Sequence, residues 1–167
     1  MHLIIDGYNL LHAHRSLINL NSAQLQWERE RLLDRLSTYQ KRKACEVTVI
    51  FDGWQEGWST ETREKKKGIE VIFSKLGEKA DEVIKRLVKE KGSGTIVITS
   101  DRDVARFAQR MDTAVIASEQ FREKLEERPS DMFEGSPEEE KREMKKKGPS
   151  RRPSKKEKRI RAASKKL

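Results

Sequence analysis

The sequence predicts an α/β fold, built as a central parallel sheet of about five strands flanked by helices and followed by a basic C-terminal tail. Three observations carry that expectation. Short β-branched runs alternate with helical periodicities, the runs are almost continuously apolar, and the pattern ends near residue 128, where the composition changes. Strands without polar alternation are covered on both faces, and a crossover between parallel strands must pack a helix back on the sheet.

The elements follow in order. His2 to Ile5 (HLII) reads as the first strand, and Leu25, Leu32, Leu36 and Tyr39 repeat at helical spacing after it. Glu46 to Phe51 (EVTVIF) and Ile69 to Phe73 (IEVIF) are the next strands, joined by a polar stretch that reads as a loop. Ala80, Val83, Ile84, Leu87 and Val88 make one face of a second helix. Thr95 to Thr99 (TIVIT) is a fourth strand, Val104, Phe107, Ala108 and Met111 mark a third helix, Thr113 to Ile116 is a fifth strand, and a last helix from Ser118 repeats Phe121 and Leu125.

Residues 1–128 therefore form one folded domain, and 129–167 form an appendage opened by Pro129, Ser130, Gly135 and Ser136. Ser136 as N-cap, Pro137 behind it, acids in the first turn, Lys145 to Lys147 in the last and Gly148-Pro149 beyond predict a short polar helix without an apolar face. From Lys141 to Leu167, 14 Lys/Arg stand against 2 Asp/Glu, a net charge of +12; the other 140 residues carry 23 against 26, a net −3. The overall +9 is a property of the tail, which cannot bury enough apolar surface to order itself and is expected to remain disordered until it meets a polyanion.

A single cysteine, Cys45, excludes an intramolecular disulfide framework, and no Cys/His array has zinc spacing. No segment reaches the length of a signal core or a membrane span, so the expected setting is cytoplasmic, with no membrane partner. Nothing points to a nucleotide cofactor.

The chemistry is expected where parallel strands end, because ligands of such sheets bind beyond the carboxyl ends of the strands. Asp6 ends the first strand in IIDGYN, with Gly7 for a tight turn and Asn9 bringing an amide back to the edge. Asp101 and Asp103 follow the fourth strand in VITSDRD, and Asp81 lies in the first turn of the helix that follows the third strand. Carboxylates converging there repel one another unless protons or a cation compensate, and an all-oxygen donor set suits Mg²⁺ or Mn²⁺. Such an ion serves phosphodiester hydrolysis. Taken singly, each aspartate is explained as a turn former or N-cap. Their recurrence at one edge of three units, with no matching cluster at the other, favours a site.

The segments IIDGYNLLHA, VIFDG, GIEVIFS, GEKADEVI, VITSDRD and IASEQFREKLEE, in that order, resemble the bacterial YacP-like NYN-domain family over residues 1–128. The resemblance implies a PIN-like three-layer α/β/α fold, metal-dependent endoribonuclease activity and, for some members, action on ribosome-associated mRNA. On the family pattern Asp6 and Asn9 fall on the first-strand motif, Asp81 on the acidic helix position and Asp101 on the aspartate after the fourth strand. Asp6, Asp81 and Asp101 are then the metal ligands. Asn9 orients a carboxylate or the scissile phosphate, and Asp103 supports them. Lys79 departs from the small hydroxyl residue many members carry, and the basic tail is unlike the generic domain.

Other residues carry competing readings. Trp54 and Trp58, followed by Arg63, Lys65, Lys66 and Lys67, make either a single-strand binding surface or a core-capping ring beside a solvated loop. Arg151, Arg152, Lys155 and Lys156 of the tail are candidates for anchoring RNA, including ribosomal RNA. Asp52 ends the second strand before Gly53 and reads either as a support behind the metal ligands or as the start of a turn, and is not counted among the ligands. His12 and His14 read as solvated, and Cys45 as a small buried residue. The expected activity is endonucleolytic cleavage of single-stranded RNA. Its rivals are a non-catalytic ribosome- or RNA-binding factor of the same fold, and an aspartyl-nucleophile phosphatase, which the Asp-Gly-Tyr of the first strand disfavours.

Overall fold

The computed structural model describes residues 1–13, 20–53, 59–92 and 94–126. His14, Trp54, Trp58, the polar helix expected after Ser136 and the tail residues Arg151, Arg152, Lys155 and Lys156 lie outside them. The elements are β1 (His2–Asp6), α1 (Gly7–His12), α2 (Ser22–Lys43), β2 (Glu46–Phe51), β3 (Thr62–Lys66), β4 (Ile69–Phe73), α3 (Ala80–Lys91), β5 (Thr95–Ile98), α4 (Arg102–Arg110), β6 (Ala114–Ile116) and α5 (Ser118–Glu126).

The sheet runs β3-β4-β2-β1-β5-β6, all parallel except β3, which is antiparallel to β4. The chain builds outward from β1 on one side, then crosses through α3 to build on the other. Strand order thus reverses at β1, whose last residue is Asp6. The register sets Asp6 beside Ile50 of β2, and Ile5 beside Ile98 of β5.

Alternation within the strands separates two cores. Leu3, Ile5, Val49, Phe51, Val71, Phe73 and Ile98 face α1, α2 and α5. Ile4, Ile50, Ile72 and Val97 face α3 and α4 with Val83, Ile84 and Leu87. This is the three-layer α/β/α arrangement, with both sheet faces covered as the apolar runs require. By the same alternation Asp6, Asp52 and Thr99 continue the face of Ile4, Ile50 and Val97, so the strand ends present their polar groups toward α3.

The helices begin for local reasons. At α2 a capping box pairs Asn21 with Gln24, and the helix closes at Ala44 in the left-handed region with φ 47°. Lys79 is the N-cap of α3 but supplies no side-chain cap, and the Asp52 carboxylate takes its place, accepting from Ala80 N at 2.6 Å. Three residues orient α2. Buried Arg29 lies over the rings of Phe51 and Phe73 at the carboxyl ends of their strands, whereas Ser37 and Gln40 donate to the Lys67 and Gly68 carbonyls at the amino edge.

Two expectations need correction. The polar stretch after β2 is not all loop: Thr62 to Lys66 form an edge strand that returns to the amino edge. Its sequence TREKK carries no apolar alternation because it joins the sheet through backbone bonds to β4 and polar side-chain pairs such as Arg63 with Glu70, and a charged edge discourages pairing with another chain. Gly7 does not make a tight turn but is the first residue of α1. A Cβ there would fall 2.3 Å from the Phe51 ring, so a glycine lets the helix approach β2. No helix among the described residues is long and apolar enough to cross a membrane.

Candidate active site at the carboxyl edge of the sheet

Asp6 is 3% exposed and serves as N-cap of α1. Its Oδ1 accepts from Asn9 N at 3.1 Å, and its Oδ2 accepts from Asn9 Nδ2 at 2.5 Å and from Thr99 Oγ1 at 3.2 Å. Burial, the largest influence, pushes the carboxyl up from its usual 3.8 to about 6, with Asp81 adding repulsion and the Asn9 and Thr99 bonds pulling the other way. Capping alone does not call for such burial, since a cap on the surface would keep its hydration.

Asp101 caps α4, its Oδ1 accepting from Asp103 N at 2.8 Å and Val104 N at 2.9 Å. Oδ2 has no hydrogen-bond partner among the described residues. Thr99 ties this corner to the first, because its Oγ1 donates to Asp6 and accepts from Asp101 N at 3.0 Å. Asp81, half-buried in the first turn of α3, has no hydrogen-bond donor among the described residues. Its carboxyl is raised first by burial and then by Asp101 and Asp52, against Lys85 and Lys79. Asp6, Asp52, Asp81 and Asp101 therefore form one acidic edge whose members sense one another.

The remaining candidates are placed differently. Asn9 bonds Asp6 twice, so it acts first as the residue that positions this carboxylate. Exposed Asp103 lines a cavity of about 630 Å³ along α3 and α4 with Lys85, Arg106 and Phe107. Arg63 and Lys65 border another, of about 420 Å³, at the amino edge with His2 and Glu70, away from Asp6. Lys66 pairs with Glu30 and Glu64, Lys67 with Glu30 and Asp34, and Arg63 with Glu61 and Glu70. Those basic residues are thus already balanced by acids. Neither cavity coincides with the acidic edge, and the chemistry of the side chains locates the site better than concavity.

Thr99 is a residue that the sequence does not single out, although its place two residues before an Asp at a strand end is a usable sign. Asp52, which reads in sequence either as a support behind the ligands or as a turn former, belongs to the edge as well. The missing capping side chain at Lys79 is the available sign that a carboxylate must come from elsewhere.

The donor chemistry suits a hard divalent cation, with carboxylate oxygens only, partly dehydrated and mutually repelling. Among the described residues no three His, Cys, Asp or Glu side chains are close enough to grip one ion together. The set therefore fits the mode common for Mg²⁺, in which one or two carboxylates bind and waters and substrate phosphate complete the shell.

Comparison with known proteins adds the lineage. The profile of the family described as YacP-like NYN domain matches residues 3–165. The chain is 32% identical over 87 residues to the uncharacterized protein YacP of Bacillus subtilis (strain 168), an alignment spanning 52% of this chain and 51% of that protein. It thus spans about half the length of that relative. It is also similar to crystal structures of Rae1 (YacP) from Bacillus subtilis. For the unsubstituted protein the TM-score is 0.60 at 26% identity, and for a mutant with one tryptophan changed to leucine it is 0.62 at 25% identity. Both alignments cover 75% of this chain and 74% of the other.

Proposed function

The chain belongs to the YacP-like NYN domain family, whose members are PIN-like nucleases, and from that premise and the acidic edge we propose that it is a metal-dependent endoribonuclease cutting single-stranded RNA. The observation that supports this most is the buried Asp6, held by Asn9 and Thr99 within the field of Asp81. Folding such a carboxylate away from water is unfavourable unless a cation or a reaction uses it.

In this reading Asp6, Asp81 and Asp101 hold Mg²⁺ or Mn²⁺, directly or through water. When bound, the ion supplies Lewis-acid stabilisation of the charge that builds on the phosphoryl oxygens. The chain's own residues do the rest. Asn9 fixes the Asp6 carboxylate, Thr99 couples the ends of β1 and β5, and Asp52 anchors α3 so that Asp81 faces the edge. Asp103 supports the start of α4 through the hydrogen bond that its backbone N–H donates to the Asp101 carboxylate. The basic tail anchors RNA, and ribosome-borne mRNA in the cytoplasm is the substrate to test first.

That no three carboxylates among the described residues stand ready to grip one ion favours a second reading, a non-catalytic RNA-binding factor of the same fold. One experiment separates the two: a labelled single-stranded RNA, free and on ribosomes, is incubated with the purified chain in Mn²⁺, Mg²⁺ or EDTA, beside Asp6→Asn, Asp81→Asn and Asp101→Asn. The nuclease reading expects metal-dependent cleavage, lost in each variant while binding persists. Binding without cleavage on either substrate would establish the second reading, and cleavage by Asp81→Asn at the wild-type rate would refute the ligand assignment.

A further inference from the structure

Trp27, in the second turn of α2, is 57% exposed and is the only aromatic residue among the exposed large apolar side chains of the described residues. One turn on, the Arg31 guanidinium lies over its ring, 4.5 Å from the centroid. At about 100° per residue, Trp27, Arg31, Arg35 and Arg42 fall within roughly 80° of one another, making a stripe of three arginines headed by an indole. The far end of the stripe is engaged with α5, where Arg35 meets Glu126 at 3.4 Å and Arg42 donates to the Lys124 carbonyl at 3.5 Å. At the near end, Arg31 has Glu28 at 3.5 Å. The Trp27 face is left to solvent.

Along the helix axis the near end also reaches the carboxyl edge of the sheet, on the layer across the sheet from α3. Arg29, two residues from Trp27 and about 200° around the helix from it, covers the carboxyl ends of β2 and β4 through Phe51 and Phe73, so Trp27 faces outward at the height where those strands end. We propose that Trp27 and Arg31 form a stacking platform for single-stranded RNA. A base would lie on the indole and Arg31, the stripe's arginine not engaged with α5, would meet the neighbouring phosphate, with the strand continuing toward the carboxyl edge of the sheet. An indole backed by a guanidinium suits any base, because every base has a π-face, and cations along one helix face complement a polyanion. The inference rests on the nuclease reading for its substrate and deepens it by naming a surface for the strand beyond the reacting phosphate.

The test uses the full chain carrying Trp54→Phe and Trp58→Phe, so that emission reports Trp27 alone, titrated with oligouridylate in EDTA. RNA is expected to quench Trp27 saturably. Trp27→Ala should weaken binding about 5- to 150-fold, the range for one lost stack, while Trp27→Phe largely retains it. Arg31→Ala should lower the slope of log affinity against log salt by about 0.7. Because Trp27 is exposed, the alanine variant should melt with wild type. Saturating RNA that leaves the emission unmoved, or an alanine variant that binds as wild type, overturns the platform; so does emission that responds only to protein concentration, which marks a contact between copies. The two readings fail separately. Loss of cleavage in metal with quenching intact counts against the nuclease, whereas cleavage with Trp27 silent counts against the platform.

Discussion

Replacing Thr99 by valine tests the geometry of the acidic edge most directly, because it keeps the side chain's shape and deletes one hydroxyl. Thr99 is 2% exposed, and its Oγ1 donates to Asp6 Oδ2 at 3.2 Å and accepts from Asp101 N at 3.0 Å. A hydrogen bond to a charged group contributes about 1.5–3 kcal/mol, and the length of this one places it at the low end. Leaving the Asp101 amide unpaired adds about 1–3 kcal/mol. The expected loss is about 3 kcal/mol, a large share of a typical domain stability of roughly 5–15 kcal/mol. Urea unfolding at pH 8 reads it as a midpoint lowered by about 1.5 M for a slope near 2 kcal/mol per M. Thr99→Ser should recover most of the loss.

The same substitution carries a pH signature. The Thr99 bond lowers the Asp6 pKa, so valine raises it further above its unfolded value. Stability associated with a raised carboxyl is fully present below the unfolded pKa and is lost as pH rises through the folded one. The gap between wild type and Thr99→Val should therefore widen from pH 5 to pH 8. A loss below about 1 kcal/mol, or a gap that does not change across that range, would refute the bridging role of Thr99.

Three further outcomes follow from the same structure. With Asp6 folded near 6 against 3.8 unfolded, wild type should lose about 2.5 kcal/mol relative to Asp6→Asn between pH 4 and pH 8, measured by denaturant unfolding across pH. Asp52→Ala should remove the cap of α3 for about 1 kcal/mol and speed amide exchange in its first turn, Ala80 above all. Gly53→Ala places a Cβ 2.0 Å from the Ser74 carbonyl oxygen, where the main chain cannot move cheaply, and should cost about 3 kcal/mol, the upper end for overpacking, in a thermal melt.

The two readings of the aspartates, caps or site, prove compatible. Asp6 and Asp101 do cap helices, as each aspartate taken singly suggests. What capping does not account for is the burial of Asp6, or an Asp81 carboxylate without a donor among the described residues beside two like charges.

The five parallel strands, the helices after Gln24, Ala80, Arg102 and Ser118, and the edge at which acids gather are all legible along the chain. They are properties of local periodicity: runs such as VTVIF and VIKRLV state their burial within a few residues. That TREKK is a strand emerges only in three dimensions, since an edge strand answers to its neighbour's backbone and not to its own side chains. The same holds for Asp52, which caps a helix 28 residues away, and for Thr99, which bonds a carboxylate 93 residues away. It holds too for Lys66 and Lys67, turned toward Glu30 and Asp34. Each of these depends on distances between segments that the order of residues does not encode locally, and a raised carboxyl such as Asp6 exists only once those segments have excluded water from around it.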